Sequence, residues 1–223
     1  MTFSSGLFKT ELAKSANAEK ALAMKDYMKN QFEFLGIPTP ERRKILKHFI
    51  SVYNINNERE LILIVKELWM NAEREFQYCA IDILMKFKKL WSINTIEIIE
   101  YCLVSKSWWD TVDPLSYDCA GSYFKLNPSK IIEITGKWNR SENMWLQRSS
   151  LLFQKSYKDD TNTNILSEYI LRLAFSKEFF IQKAIGWILR EYAKTNAEWV
   201  KKFVSLHKLA TLSQREALKH LQL

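Results

Sequence analysis

Ser176-Lys-Glu-Phe-Phe-Ile-Gln182-Lys-Ala-Ile-Gly-Trp187-Ile-Leu-Arg190-Glu-Tyr-Ala-Lys194-Thr-Asn196 is the stretch from which the fold can be read. Its apolar residues recur at helical spacing, and Ser176 is a candidate N-cap for a helix running through about Lys194. The Ile181-Gln182 pair inside it returns as Leu146-Gln147, 35 residues earlier, and as Phe76-Gln77, a further 70 earlier. Candidate caps at Asn71, Ser107, Ser141 and Ser176 stand 36, 34 and 35 residues apart. A sustained period near 35, with two helical patterns per unit, is the signature of a helical-repeat solenoid. One such unit cannot bury its apolar faces alone, so its neighbours must supply the core.

Outward from that stretch the chain carries helical signals and no strand alternation. Residues from about Asn17 to Leu35 read as a helix stopped by Gly36. Thr39 is the expected N-cap of the next, with Pro40 at its first helical position. Asn71 is expected to cap a helix through about Lys89, Asn127-Pro128 one through about Trp138, and Ser141 one through about Tyr157. Ser213-Gln214-Arg215-Glu216 has the form of a capping box. Only five Gly and four Pro are present, which favours long helices over turn-dense β architecture. The expectation is an all-α chain, an α-solenoid of HEAT-like repeats forming a single domain over residues 1–223. It comprises an N-terminal helical cap over about 1–36, repeats over about 39–206 and a C-terminal capping helix over about 213–223.

With 223 residues, 47% of them apolar and 13% aromatic, the chain is not of disordered type. Its formal charge of +8 suggests a polyanionic partner, most plausibly nucleic acid. Cys79, Cys102 and Cys119 fall in apolar helical stretches without C-x-x-C spacing and read as reduced core thiols. The N-terminus lacks a signal-peptide pattern, and no run approaches the ~18 apolar residues of a membrane span. A cytoplasmic protein is expected. His48, His207 and His220 have no second ligand at metal spacing, so no metal is expected, and no other cofactor. Neither a Gly-rich phosphate loop nor a Ser-His-Asp or Cys-His arrangement can be recognised.

Chemistry concentrates in Ser107-Trp108-Trp109-Asp110-Thr111-Val112-Asp113-Pro114. Trp109 and Asp113 are four apart and share one helix face, whereas Trp108 reads as core and Asp110 as an acid favouring the helix dipole. Stepping by 35 through Asp113 gives Arg43, Tyr78, Asp113, Arg148 and Lys183, residues that stacked repeats should align along one surface. Lys183, Arg190 and Lys194 fall within about 40° of one another around their helix, with Trp187 beside them. Arg148 and Lys155 share a face flanked by Trp145, and Trp109, Asp113 and Tyr117 share another. Basic stripes interleaved with aromatic rings suit a nucleic-acid groove. An exposed acid in such a groove repels phosphate, so its presence at Asp113 points to chemistry.

The stretch Ser176 to Asn196 resembles the AlkD-type alkylpurine DNA glycosylases. So do Lys106-Ser-Trp-Trp-Asp-Thr-Val-Asp113, Trp145-Leu-Gln-Arg148, Arg74-Glu-Phe-Gln77 and Thr39-Pro-Glu-Arg-Arg43, in order along nearly the whole chain. The resemblance implies a solenoid whose concave basic face grips double-stranded DNA as a monomer. It implies excision of cationic N3- and N7-alkylated purines, 3-methyladenine and 7-methylguanine among them, without a cofactor. By motif match Asp113, Trp109 and Trp187 flank the deoxyribose of the damaged nucleotide, and Arg148 and neighbouring basic residues contact the backbone. Tyr27, in Met24-Lys-Asp-Tyr-Met-Lys, matches a family position near DNA. Pro38 departs from the polar residue expected before Thr39-Pro40. The competing reading is a non-catalytic helical-repeat scaffold that binds DNA or protein.

Overall fold

A computed structural model describes residues 3–221. The helices are α1 (Ser5–Ala13), α2 (Ala18–Tyr27), α3 (Thr39–Val52), α4 (Glu58–Trp69), α5 (Arg74–Lys86), α6 (Thr95–Val104) and α7 (Trp109–Pro114). They continue as α8 (Gly121–Leu126), α9 (Ile131–Arg140), α10 (Met144–Leu152), α11 (Thr163–Leu173), α12 (Phe179–Ala193), α13 (Ala197–Leu206) and α14 (Thr211–Leu218). A π turn, Leu115–Ala120, joins α7 to α8. The described residues contain no strand, only an isolated bridge between Glu33 and Glu73. The fold is all-α, of the α-solenoid repeat class that the 35-residue period demands. None of the described helices is long and apolar enough to cross a membrane.

The chain forms two compact units, one through Ile98 and the other from Ile99 onward. In the first, Phe3, Phe8 and Phe49 meet edge-on or tilted with centroids 5.1–5.8 Å apart, fastening α1 to α3. The buried face of α4 (Leu61, Ile64, Val65, Leu68, Trp69) packs on α5. The α5 residue Glu75 is buried, and its carboxylate accepts from the backbone N–H groups of Leu35, Gly36 and Ile37 at 2.8–3.1 Å. Gly36 has φ +83°, a left-handed conformation, and a Cβ there would lie 2.0 Å from the Asn17 carbonyl oxygen. In the second unit α9, α10, α12 and α14 pack in sequence, around Trp138, Phe124, Phe153 and the apolar side of α12.

The repeat is visible in polar contacts. The recurring glutamines make one contact each of the same kind. Gln77 Nε2 donates to the Asn71 carbonyl (2.9 Å), Gln147 to that of Ser141 (2.7 Å) and Gln182 to that of Ser176 (3.0 Å), always six residues back. Each glutamine thus braces the loop that leads into its own helix. In the second unit, ties between residues one period apart recur: Asp113 to Arg148, Ser116 to Ser149, Thr135 to Tyr169 and Gly121 to Tyr157.

Those braced loops correct the expected caps. Asn71 donates to the carbonyls of Glu67 and Leu68, and Ser107 to that of Leu103, so both close the preceding helix. Ser141 and Ser176 lie in loops, their hydroxyls accepting from Asn143 N and Glu178 N; Asn143 is the true cap of α10. Asn127 donates to the Tyr123 carbonyl and leads into a 3₁₀ turn, Pro128–Lys130, before α9. Pro38, not Thr39, precedes the first turn of α3. The Asn17–Leu35 helix stops at Tyr27, because Lys29 and Asn30 turn left-handed at φ 58° and 57°. The Ser213 capping box does not form: α14 starts at Thr211, and Ser213 Oγ donates to the Gln182 carbonyl. All three cysteines are buried and reduced. Residues 222–223, which end the expected terminal helix, lie outside the described residues.

Close approach of α12 and α14 depends on Gly186. A Cβ there would sit 2.4 Å from Glu216 Cβ and 2.9 Å from the Ser213 carbonyl oxygen. Gly186→Ala is therefore expected to destabilise the protein by about 1–3 kcal/mol through overpacking, despite alanine's better helix propensity. The check is the urea midpoint, which should fall at unchanged m-value.

Candidate active site

The site is built on the second unit, from α7, the π turn, α10 and α12. Trp108 is extended (φ −157°, ψ 161°), and its carbonyl accepts the N–H of Val112, so α7 begins at Trp109. Pro114 ends the helix and has no N–H to donate, and the backbone widens into the π turn immediately after it. Ser116 Oγ lies 2.6 Å from the Val112 carbonyl oxygen, to which it donates, and 2.8 Å from Ser149 Oγ, a contact that holds the widened turn against α10. Below lies an aromatic cluster. Trp108, Trp145 and Phe180 have centroids 5.0–5.8 Å apart.

Asp113 is only 8% exposed, and it meets Arg148, itself 4% exposed, in a two-pronged ion pair. Arg148 Nε donates to Asp113 Oδ1 at 2.7 Å and Nη2 to Oδ2 at 2.9 Å, while Nη1 donates to the Phe180 carbonyl at 2.5 Å. The fork geometry fixes both carboxylate oxygens in one plane. Burial pushes the Asp113 carboxyl above its ordinary value, opposed by hydrogen bonding and charge from Arg148; Asp110 adds to the rise, and Lys155 opposes it. Trp109, at the first position of α7, is partly exposed one turn before Asp113. Partly exposed Trp187, from α12, meets Tyr117 at 84° with centroids 6.1 Å apart. Lys155 Nζ lies 4.0 Å from the Tyr117 centroid and 4.8 Å from that of Trp187. Burial raises the Tyr117 phenol to about 12.

Two expectations are corrected here. Asp113 is a buried, paired carboxylate and not an exposed acid repelling phosphate. Arg148 is not a bare cation on a stripe, because its guanidinium is occupied by Asp113 and the Phe180 carbonyl. The stripe along α12 is also partly neutralised. Glu216 of α14 pairs with Lys183 (3.0 Å) and Arg190 (2.5 Å), and Glu191 pairs with Lys194 (2.8 Å). Lys194 remains 68% exposed at its side chain, Lys183 38% and Arg190 24%.

The remaining residues singled out from the sequence belong to the first unit. Tyr27 is 67% exposed at the end of α2, and Thr39 is exposed at the start of α3. Arg43 is exposed too, but donates to both oxygens of Asp82, which also receives buried Arg42 at 2.7 Å. Sequence reasoning left Phe180, Glu216 and Asp82 without a role. No spacing rule marks Phe180, whose contribution is a backbone carbonyl. Glu216 was absorbed into a capping box that the fold does not form. Among the described residues no group of three or more His, Cys, Asp or Glu could hold a metal ion.

A model of the DNA alkylation repair enzymes matches residues 8–221. A solved structure described as a predicted DNA alkylation repair enzyme from Enterococcus faecalis superposes with a TM-score of 0.87 at 35% sequence identity. That match covers 92% of this chain and 96% of the other. No curated protein matches.

Two stability measurements test this geometry. Arg148→Met strands a buried carboxylate and is expected to cost about 3–5 kcal/mol in chemical denaturation. Removing the acid as well, in Asp113→Asn/Arg148→Met, should recover part of that loss. The second concerns Glu216, whose carboxyl is lowered from an ordinary 4.5 to about 2 by hydrogen bonds from Lys183 and Arg190. A depressed folded-state value stabilises the protein above the unfolded-state value, and this contribution is lost as pH falls toward 2. Glu216→Gln should thus lower stability at neutral pH by about 1–2 kcal/mol, since water at the rim screens the pair, and flatten the acid limb.

Proposed function

The chain belongs to the DNA alkylation repair enzyme family, and on that premise we propose that it is a monofunctional DNA glycosylase. Its substrate is duplex DNA carrying cationic N3- or N7-alkylated purines such as 3-methyladenine and 7-methylguanine, and it hydrolyses their N-glycosidic bond. The observation that carries this reading is a buried carboxylate, Asp113, held two-pronged by Arg148, with partly exposed Trp109 one turn earlier on α7 and partly exposed Trp187 on α12 against Tyr117.

The substrate's chemistry fits those groups. An alkylated purine already bears positive charge, so its base departs neutral and needs no proton from the protein. Charge then accumulates on the sugar, which becomes oxocarbenium-like. A preorganised carboxylate and electron-rich indole faces stabilise such a cation, and burial strengthens the effect by excluding water. Asp113 also accepts a hydrogen bond from the attacking water and so orients it. Arg148 is a positioning residue: it fixes the plane and charge of the carboxylate. Exposed Lys194, Arg43, Thr39 and Tyr27, with Lys183 and Arg190 where their pairing with Glu216 leaves them partly exposed, supply the contacts to the DNA backbone. The protein works as a monomer in the cytoplasm, where a net charge of +8 favours association with the nucleoid.

The deciding experiment incubates the protein with methylated duplex DNA under single-turnover conditions and measures free bases. Release of 7-methylguanine or 3-methyladenine is expected, and an absence of both would overturn the reading. Asp113→Asn should reduce release by about 10²–10³-fold while duplex affinity is retained. Because the ionised carboxylate is the working form, release should fall as pH drops through a value raised above the usual ~3.9 of an aspartate.

A further inference from the structure

Glu216 reaches the cationic side of α12 from another helix, α14. Its two carboxylate oxygens are divided between two partners, Oε1 taking the Lys183 ammonium at 3.0 Å and Oε2 the Arg190 guanidinium at 2.5 Å. The side chain is only 14% exposed, and the backbone carbonyl of the same residue lies 3.5 Å from Arg190 Nη1. Glu216 has little room to withdraw, because its Cβ lies so close to Gly186 that a Cβ built there would come within 2.4 Å of it. Lys194 is paired differently, by Glu191 on the same helix, with 68% of the lysine side chain in solvent. Such a surface pair opens easily, whereas the Glu216 clamp is anchored where α12 and α14 pack together.

We propose that Glu216 is a specificity-determining residue that limits the protein's grip on undamaged DNA by withdrawing one positive charge from the helix that carries Trp187. The inference rests on the glycosylase reading, which lays the DNA backbone along Lys183, Arg190 and Lys194. Lys183, Arg190 and Glu216 together carry one net positive charge at a fixed place, where two unpaired cations would engage two phosphates. Backbone contacts strengthen binding to every nucleotide alike and add nothing to the choice between an alkylated purine and an ordinary one. A genome offers about 10⁶–10⁹ undamaged competing sites, so a weaker uniform grip shortens the time spent on them.

Packing alone gives no reason for an acid here. The two helices are already fastened by their close approach at Gly186 and by Ser213 Oγ, which donates to the Gln182 carbonyl at 2.9 Å. The first unit repeats the arrangement. Asp82 holds exposed Arg43 through both of its oxygens and is itself fixed by buried Arg42 at 2.7 Å. In each unit a fixed carboxylate thus sits on a cation that the glycosylase reading assigns to the DNA backbone.

The test measures affinity for an undamaged duplex over a series of salt concentrations. Glu216→Gln keeps the shape of the side chain and frees one charge. Affinity should therefore rise about tenfold at about 50 mM salt, and the slope of log K against log salt should steepen by about one ion. Glu216→Asp, which keeps the charge, should retain the wild-type slope, and Glu216→Gln/Lys183→Gln should return to it. Melting temperatures confirm that each variant is folded where affinity is measured. An unchanged slope in folded Glu216→Gln overturns the proposal and leaves the clamp a packing device. A fall in affinity with a shallower slope overturns it too, since the cations would then need the acid to orient them. Base release from methylated duplex by the wild type is measured alongside. A steeper slope in the variant without any release refutes the glycosylase reading alone, whereas release with an unchanged slope refutes the role of Glu216 alone.

Discussion

The ion pair between Asp113 and Arg148 is the constraint to which the second unit is fitted. Two charges out of water are costly, and their attraction offsets that cost only when every remaining donor and acceptor is satisfied. Arg148 meets this condition with two bonds to the carboxylate and one to the Phe180 carbonyl, so α7, α10 and the start of α12 are fastened at one point. The aromatic cluster of Trp108, Trp145 and Phe180 adjoins the same point through Phe180, whose ring centroid lies 5.9 Å from the Arg148 guanidinium carbon. A shift of one helix by even a fraction of a turn would leave a buried charge unpaired. The repeat register and the pair therefore specify one another.

Buried polar ties elsewhere follow the same logic with smaller charges. The three loop-bracing glutamines hold the chain where one helix gives way to the next, and a serine pair locks the π turn to α10. The π turn directly follows Pro114. Without an N–H at that position the regular ladder is interrupted, and the widened turn carries Tyr117 toward Trp187. A backbone irregularity directly after the acid thus supplies a wall of the site.

The period and the helix class could be read from the sequence because they rest on the spacing of apolar residues and glutamines, which burial enforces. Helix starts could not, since Ser141 and Ser176 look like caps yet sit in the braced loops two or three residues upstream. The 35-residue register aligns Asp113 with Arg148, but neither their pairing nor their burial is legible in it. The helical spacing of Lys183, Arg190 and Lys194 predicts a basic stripe along α12, whereas Glu216, 26 residues beyond Arg190, neutralises part of it from α14. Partners distant in the chain and outside the repeat register leave no local signal. For the same reason the corner of Tyr117, Trp187 and Lys155 emerges only when the helices are packed.

Under the proposed glycosylase reading, substrate choice follows from what the site lacks as much as from what it holds. Cleaving an ordinary purine requires a proton for the departing base, and efficient donors titrate near the working pH. Tyr117 is the phenol beside the acid, and at about 12 it holds its proton too tightly for that task. The Arg148 guanidinium is already engaged by Asp113 and the Phe180 carbonyl, and Lys155 Nζ lies against the ring faces of Tyr117 and Trp187. Asp113 is suited to being a negative charge, fixed in plane by the guanidinium. On the proposed reading, such a set of groups stabilises a cationic sugar without activating the leaving group, and this confines the proposed reaction to bases that arrive already charged. The lesion's own reactivity then does the work of discrimination that a tight recognition pocket does in other enzymes.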